Sequence, residues 1–460
     1  MRMIKATGVF ALFLAVIALS SCGGGSSSST TSGEASVFTV GTDASLPSVV
    51  SCQILVSGIT LNNGTTNVPV LTTPQVVDFA QLSGLHQLLD LNAVPIGTYT
   101  SATVTIASPV IGFINTGVNP PAISTINGTL TQSSVTVTFA NPFVLQSADL
   151  VGLRMEFDIA KSLQTTGGAI NGTVNPTFEM ALLNATDANV SIDDFHAGVV
   201  GVTNANTFVV QGPKGRQWTV TTSASTVMDD PSIPVSSFTT NTIVEISGQL
   251  DPVSHDIDAS EIEVVSSDNF VLGGLLTSIR PPSGAATQAD LFVRYELPDI
   301  TGVTDGQTET LNVDNTMIYK IANINNPITS LLFNNSSLAA GQVVDVGGKL
   351  VTASGVSTLT VHRIVLRKQG QAGTWIAGST VIQSGNAGSF QFTDNAPAGI
   401  LLPAPLTVLT TNATNFMNLS GLSALSGTSA ISLRVVGFIL INPATNTPVM
   451  VARSVEELTS

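Results

Sequence analysis

The chain is expected to be all-β, with a first strand-rich domain followed by three repeated small barrels. Three observations carry this. The apolar residues are mostly Val, Ile, Leu and Ala interleaved with Thr, Ser, Asn and Gly, a mixture that suits strands and turns. Charged residues make up only 10% of the 460 residues, against roughly 25% in ordinary soluble proteins. Lys and Glu, the usual surface filling of helices, are therefore scarce. Finally, an alternating strand containing one glycine recurs three times in the second half of the chain.

The N-terminus reads as an export signal. Residues 1–5, MRMIK, carry Arg2 and Lys5 and no acid, and Ala6–Leu19 is a 14-residue apolar run. A bilayer-spanning helix needs about 20 residues, so this run fits a signal peptide better than a membrane span. It leads into LSSC (Leu19–Cys22), which resembles the bacterial lipobox: an aliphatic residue, two small residues and a cysteine. The resemblance implies cleavage before Cys22 and acylation of its sulfur, making Cys22 the lipidation site. An ordinary signal peptide with an incidental cysteine is the alternative. An acylated Cys22 is not available to Cys52, the only other cysteine, so the exported chain uses no disulfide. A chain of this length can build cores without one. Cys52 lies in the alternating run SVVSCQILVSGITL and reads as a buried small hydrophobe, with a reactive thiol as the alternative.

The segment after Cys22, through residue 34, is a Gly/Ser/Thr tract with too little apolar area to offset backbone entropy, and so a flexible tether. Gly23 and Gly24, with no aspartate there, resemble the enteric pattern that sorts to the outer membrane rather than the inner. Without the signal, 13 Lys and Arg stand against 30 Asp and Glu, a net charge of −17. That surface repels phosphate backbones and anionic lipids, so a nucleic-acid partner is excluded and the membrane is held through lipid. One acyl chain holds weakly; stable anchoring takes at least two.

Residues 35–195 form the first domain. ASVFTVGT, VVSCQILVSGITLNNG and VPVL read as strands, with NNG as a tight turn. Leu82–Leu91 has apolar residues at 82, 85, 88, 89 and 91, which predicts a short helix or turn. IGTYTSATVTIA is a strand, as are SSVTVTFANPFVL and LVGLRMEFDIAKSL. The stretches VVDFAQLSGLHQLLDL, VPIGTYTSATVTI and FDIAKSL followed by NPTFEM resemble a family of bacterial lipoprotein domains of unknown function. The resemblance implies a β-sandwich of transthyretin or immunoglobulin appearance and no assigned chemistry. Asp158 and Ser162 within it read as cap and turn residues before they read as ligands.

Residues 196–268, 269–370 and 371–460 form the three modules. TIVEISGQL, QVVDVGGKL and SLRVVGFIL each place a glycine (Gly248, Gly348, Gly437) in an alternating strand. A second strand follows each, with Ala259, Val361 and Ala452 at equivalent positions. The widening offset fits hairpin loops of growing length. A glycine in a strand permits the sharp coil that closes a small barrel. The modules resemble the OB-like barrels found in tandem in exported bacterial proteins; an open sandwich is the alternative. Turn-rich joints are expected near Ser266–Asn269 and Gln369–Gly373, and the whole is expected to extend as a rod.

Candidate sites are few. His86, His196, His255 and His362 lack a second histidine at metal spacing. DPVSHDIDASE brings His255 beside Asp251, Asp256 and Asp258, but without the glycine-punctuated order of a calcium loop it reads as a solvated turn rather than a cation site. Asp193–Asp194 and Asp229–Asp230 read as turn formers. There is no GxSxG elbow, Walker loop or dinucleotide fingerprint. No catalytic residue, metal ligand or cofactor is assigned. Trp218, after Lys214 and Arg216 in GPKGRQWTV, marks either a binding loop or core packing; Trp375 is the other tryptophan. The expected role is a non-enzymatic scaffold or adhesion-type binder of the bacterial cell envelope, with a protein or glycan partner at the surface. A polysaccharide-binding protein and an exported hydrolase are the alternatives.

Overall fold

The computed structural model describes residues 34–458, apart from 45–48, 83, 116–121, 167–168, 185–190, 213–215, 229–231, 241, 252, 267–269, 298–299, 301, 323–327, 329, 354–355, 395–400 and 428–429. Its secondary structure is nearly all β, with one four-residue α-helix, Ile159–Ser162, among the described residues. Among the described residues no helix is long and apolar enough to cross a membrane. Cys22, the signal and the tether up to residue 33 lie outside the described residues, and Glu34 already belongs to the first strand.

The first domain is built from two large sheets sharing one core, with a small three-stranded sheet of Leu163–Thr166, Ala169–Val174 and Thr129–Leu130 at its margin. One is mixed, in the order Phe178–Asn184, Leu150–Asp158, Glu34–Ala44, Gln87–Pro95, with the middle pair parallel. The other is antiparallel around the long strands Val49–Asn62 and Gly97–Asn115. Ile54, Ile59, Tyr99, Val104, Met155 and Phe157 fill the space between them. Cys52 sits in this core, fully buried.

Of the short helix or turn expected over Leu82–Leu91, the structure shows a turn at the start, where the Leu85 N–H donates to the Leu82 carbonyl. Phe79–Gln81 is a short 3-10 turn and Gln87–Pro95 is a strand. The reason is burial on both faces. Leu89 points into the sandwich core while Leu88 and Leu91 face the first barrel. A strand covered on both sides loses its polar alternation, and its apolar positions then imitate a helical period. Glu34–Ala44 behaves likewise: Ala35 and Val37 face the sandwich core, Phe38 and Val40 the barrel.

Each barrel repeats one connectivity. In barrel 1 the strands are Ile192–Asn204, Thr207–Gln211, Gln217–Thr221, Ile243–Leu250 and Ile257–Ser266. The first pairs with the second and fourth, the second with the third, the fourth with the fifth. A parallel pairing of third and fifth strands, Val220 with Ile257, closes the ring. Barrel 3 closes the same way, Leu406–Thr410 running parallel to Thr447–Glu457. In barrel 2 the fifth strand, Val356–Leu366, takes its parallel partner from Ile318–Ile321, which follows the third strand.

The repeated glycines sit at one structural position. The ladder between fourth and fifth strands shifts register at Ser247/Gly248, Gly347/Gly348 and Val436/Gly437. Gly248 faces Ala259, Gly348 faces Val361 and Gly437 faces Ala452. A Cβ there would lie 2.2, 2.1 and 2.1 Å from the carbonyl oxygens of Asp258, Thr360 and Val451. The bulge brings the partner backbone closer than any side chain allows.

Two details of the repeat differ from expectation. Gln369–Trp375 is no joint but the first strand of barrel 3, paired with Ser432–Asn442. The first strand of barrel 1 starts at Ile192, upstream of the expected boundary at residue 196.

The four units do not form a rod. The mixed sheet lies between its own sandwich core and barrel 1, whose core includes Phe38, Leu88 and Leu150. Barrel 2 meets the sandwich where Phe292 packs beside Val50 and Gly112. Phe438, Leu440, Val449 and Val451 of barrel 3 join the core of barrel 2. These side chains are apolar on what would be outer faces of isolated units, so burying them against neighbours draws the units into one body.

Candidate functional site

The densest collection of buried titratable groups lies between barrels 1 and 2. His196, Glu245 and Glu263 form one row across the first, fourth and fifth strands of barrel 1. Opposite them, Tyr295, Gly273 and Asp345 form a row across the second strand of barrel 2 (Gln288–Leu297), the first (Phe270–Arg280) and the fourth (Val343–Ala353). Gly273 is a glycine because the Tyr295 ring lies over it; a Cβ there would fall 2.0 Å from the ring. The phenol thereby reaches across the joint.

His196 Nε2 is 2.7 Å from Asp345 Oδ2, and Tyr295 Oη is 2.9 Å from the same nitrogen. Tyr295 also donates to Asp345 Oδ1. Arg367, one residue past the fifth strand of barrel 2, extends its guanidinium among three carboxylates. It pairs with Glu245, with Glu263 at 3.0 Å, and with Asp345 at 3.4 Å. Arg363 donates to the Val264 carbonyl. Burial is nearly complete: Arg367 and Glu263 are 2% exposed, Asp345 1%, Glu245 5%. Burial raises the Asp345 carboxyl, but His196 and Arg367 outweigh it and hold the group below the usual carboxylate range. For His196 burial favours the neutral ring, and the charge and hydrogen bond of Asp345 reverse this, leaving the imidazole above its ordinary value.

A second arm reaches the sandwich. Asp193 lies 3.4 Å from His86 Nδ1 and 3.7 Å from Lys368 Nζ, and its backbone N–H donates to the His86 carbonyl. Arg294 of barrel 2 donates from Nε to the Val50 carbonyl at 2.8 Å, while Gln53 donates to the Arg294 carbonyl.

Of the residues singled out from sequence, His196, His86 and Asp193 fall at this joint, Asp193 within the strand Ile192–Asn204 rather than in a turn, and the others lie elsewhere. Asp251 accepts from the N–H groups of Ser254 and Val253, which pull its carboxyl down, and His255 occupies a left-handed turn position at φ 61°. Burial, then the charges of Asp251 and Asp256, push the Asp258 carboxyl up. The loop is a hydrogen-bonded turn. Among the described residues no group of three or more His, Cys, Asp or Glu is arranged to hold a metal ion. Asp229–Asp230, the Asp194 side chain and Lys214 lie outside what is described. His362 is exposed on the fifth strand of barrel 2. Asp158 caps the short helix by accepting from the Lys161 N–H at 2.8 Å, and Ser162 Oγ accepts from the Thr177 N–H.

Trp218 is core, 6% exposed and edge-on to Phe195. Arg216 stacks over it at 4.5 Å and reaches Asp90 and the Leu91 carbonyl of the sandwich. Trp375 is 1% exposed and donates to Thr380 Oγ1. Neither ring offers a face on which a sugar could stack.

Residues 197–263 match a domain of unknown function, DUF5666. The matched segment is barrel 1, from within its first strand to within its fifth, and not the sandwich. No curated protein matches the chain.

Sequence reasoning passed over the joint residues because none forms a known catalytic spacing. A signal was nonetheless present. Glu245, Asp345 and Arg434 each stand three residues before a bulge glycine, in strands otherwise short of charge. All three face a neighbouring unit: Arg434 lies 3.9 Å from Glu156 of the sandwich and packs beside Gly84.

Proposed function

We propose that the chain is a lipid-anchored protein of the bacterial cell envelope with a non-enzymatic scaffold or adhesion-type role, held at the outer membrane through an acylated Cys22. The observation that carries this reading is the LSSC lipobox behind a basic, short apolar leader. The joint chemistry fits it. The buried Arg367 pairs with Glu245, Glu263 and Asp345 across the joint, an arrangement that suits assembly. The recurring unit is a structural module used three times, joined to a sandwich into a single body that presents its acidic surface outward. The barrel that matches DUF5666 and its two companions belong, on this reading, to a display platform close to the membrane.

The test is fractionation of cells carrying the full chain or its Cys22→Ala variant, followed by a binding assay of intact cells to abiotic and cell surfaces. The wild type stays with the membrane fraction and cells lacking the gene lose adhesion. The reading fails if Cys22→Ala is retained in the membrane as firmly as the wild type, or if deletion leaves adhesion unchanged.

A further inference from the structure

We propose that the joint between barrels 1 and 2 is a proton-operated latch: a proton on His196 holds the two barrels together, and its loss as pH rises loosens them. The argument starts from a charge count across the interface. Barrel 1 contributes Glu245 and Glu263, and barrel 2 contributes Asp345, all buried. Arg367 alone touches all three. Arg363, also buried, brings a second guanidinium to the joint and donates to the Val264 carbonyl. Protonated His196, 2.7 Å from Asp345, supplies the remaining positive charge where the two sheet faces meet. A neutral ring can still donate one hydrogen bond to Asp345, but the joint then holds the three carboxylates against the two buried guanidiniums of Arg367 and Arg363. Uncompensated charge in such a place is relieved by admitting water, which here means separating the barrels.

The surroundings direct the effect to His196. The charged and titratable groups facing it from the packed elements are Asp345, Tyr295, Arg367, Glu245 and, beyond Glu245, Glu263. The Asp193, His86 and Lys368 arm lies further along the same seam. Tyr295 bonds to both His196 and Asp345, so it keeps the pair in register in either protonation state. The apolar part of the joint is small, Ile243, Val265 and Val271 with Tyr295 and Leu297 beside them, so the polar row has leverage over it.

The sign follows from linkage. A histidine held above its ordinary value contributes stability that is complete below about pH 6.5, the unfolded value, and lost as pH rises through the folded value. Asp345, held low, contributes above its unfolded value and loses that only in strong acid. The latch is therefore closed below about pH 6.5 and loosens as pH rises through the higher value that His196 takes in the folded chain.

The experiment uses the full chain with histidine-selective isotope labelling, which yields four ring signals because there are four histidines. The His196→Gln variant assigns its signal, and amide hydrogen exchange in strands Ile257–Ser266 and Phe270–Arg280 reports on the joint across pH 5–9. The expected result is a His196 titration above the ordinary histidine range, with exchange at the joint (corrected for intrinsic rate) rising about tenfold or more through the same midpoint. In His196→Gln that pH dependence is lost, while His86→Gln keeps it. If His196→Gln does not fold, the wild-type titration alone decides. The proposal is overturned by joint exchange that is flat with pH, by a His196 midpoint at or below the ordinary value, or by a His196→Gln variant that keeps the wild-type profile.

Discussion

Gly348→Ala isolates the bulge geometry that the three barrels share. In the structure a Cβ on Gly348 would lie 2.1 Å from the Thr360 carbonyl oxygen and 3.0 Å from the Val361 Cα. Real contacts of this kind essentially never fall under 3.0 Å, so the fifth strand must retreat by about 0.9 Å. The obstacle is backbone, so no rotamer change relieves it. A retreat of that size loses at least one ladder hydrogen bond, about 0.5–1.5 kcal/mol. It also pulls the neighbouring core residues Val346 and Ile364 out of contact, which brings the total to about 2–3 kcal/mol. Gly198→Ala is the matched control, because nothing lies within 4 Å of its Cβ and its backbone is unstrained. It should change stability by less than about 0.5 kcal/mol. Because several units rarely unfold in one step, local hydrogen exchange in barrel 2 is a better assay than a global melt. Gly348→Ala within about 0.5 kcal/mol of wild type would refute the close-approach argument.

Arg367→Met should destabilise the barrel 1–barrel 2 joint by about 3–5 kcal/mol, since three buried carboxylates lose their shared cation; denaturation monitored at the joint strands checks it, and a loss under about 1 kcal/mol would show the network is dispensable. Tyr319 is pushed up to about 12 by burial and then by the charge of Asp314. Tyrosinate absorbance should therefore show one phenol ionising near there, and the stability owed to neutral Tyr319 should decline as pH climbs past about 10; ionisation near 10 would contradict its packing. Small-angle scattering of the unlipidated chain should give a radius of gyration near 22 Å, as for a compact body of this length, whereas a value well above about 30 Å would restore the rod.

The fold class and the repeat were legible because they rest on local rules. Alternation exposed the strands, and the bulge glycines with their facing residues Ala259, Val361 and Ala452 could be aligned by eye. What escaped was everything that depends on a second neighbour. The strand Gln87–Pro95 imitates a helix only because barrel 1 covers its outer face. The rod expectation failed for the same reason: apolar positions such as Leu88, Phe292 and Phe438 look like core residues of their own unit, and only the assembled structure gives them to another. The candidate site followed suit. Glu245, Asp345 and Arg434 share a place in the repeat, but their chemistry becomes visible only when two barrels or a barrel and the sandwich meet. Arg216, in a stretch that read as either a binding loop or core packing, spans to Asp90 for the same cause.

Intact mass analysis of the N-terminal peptide from chain purified out of membranes bears most directly on the proposal of a lipid-held envelope protein. The account predicts a peptide beginning at Cys22 and carrying the added mass of at least two acyl chains. An unmodified thiol at that position, or a peptide beginning at Met1, would contradict it.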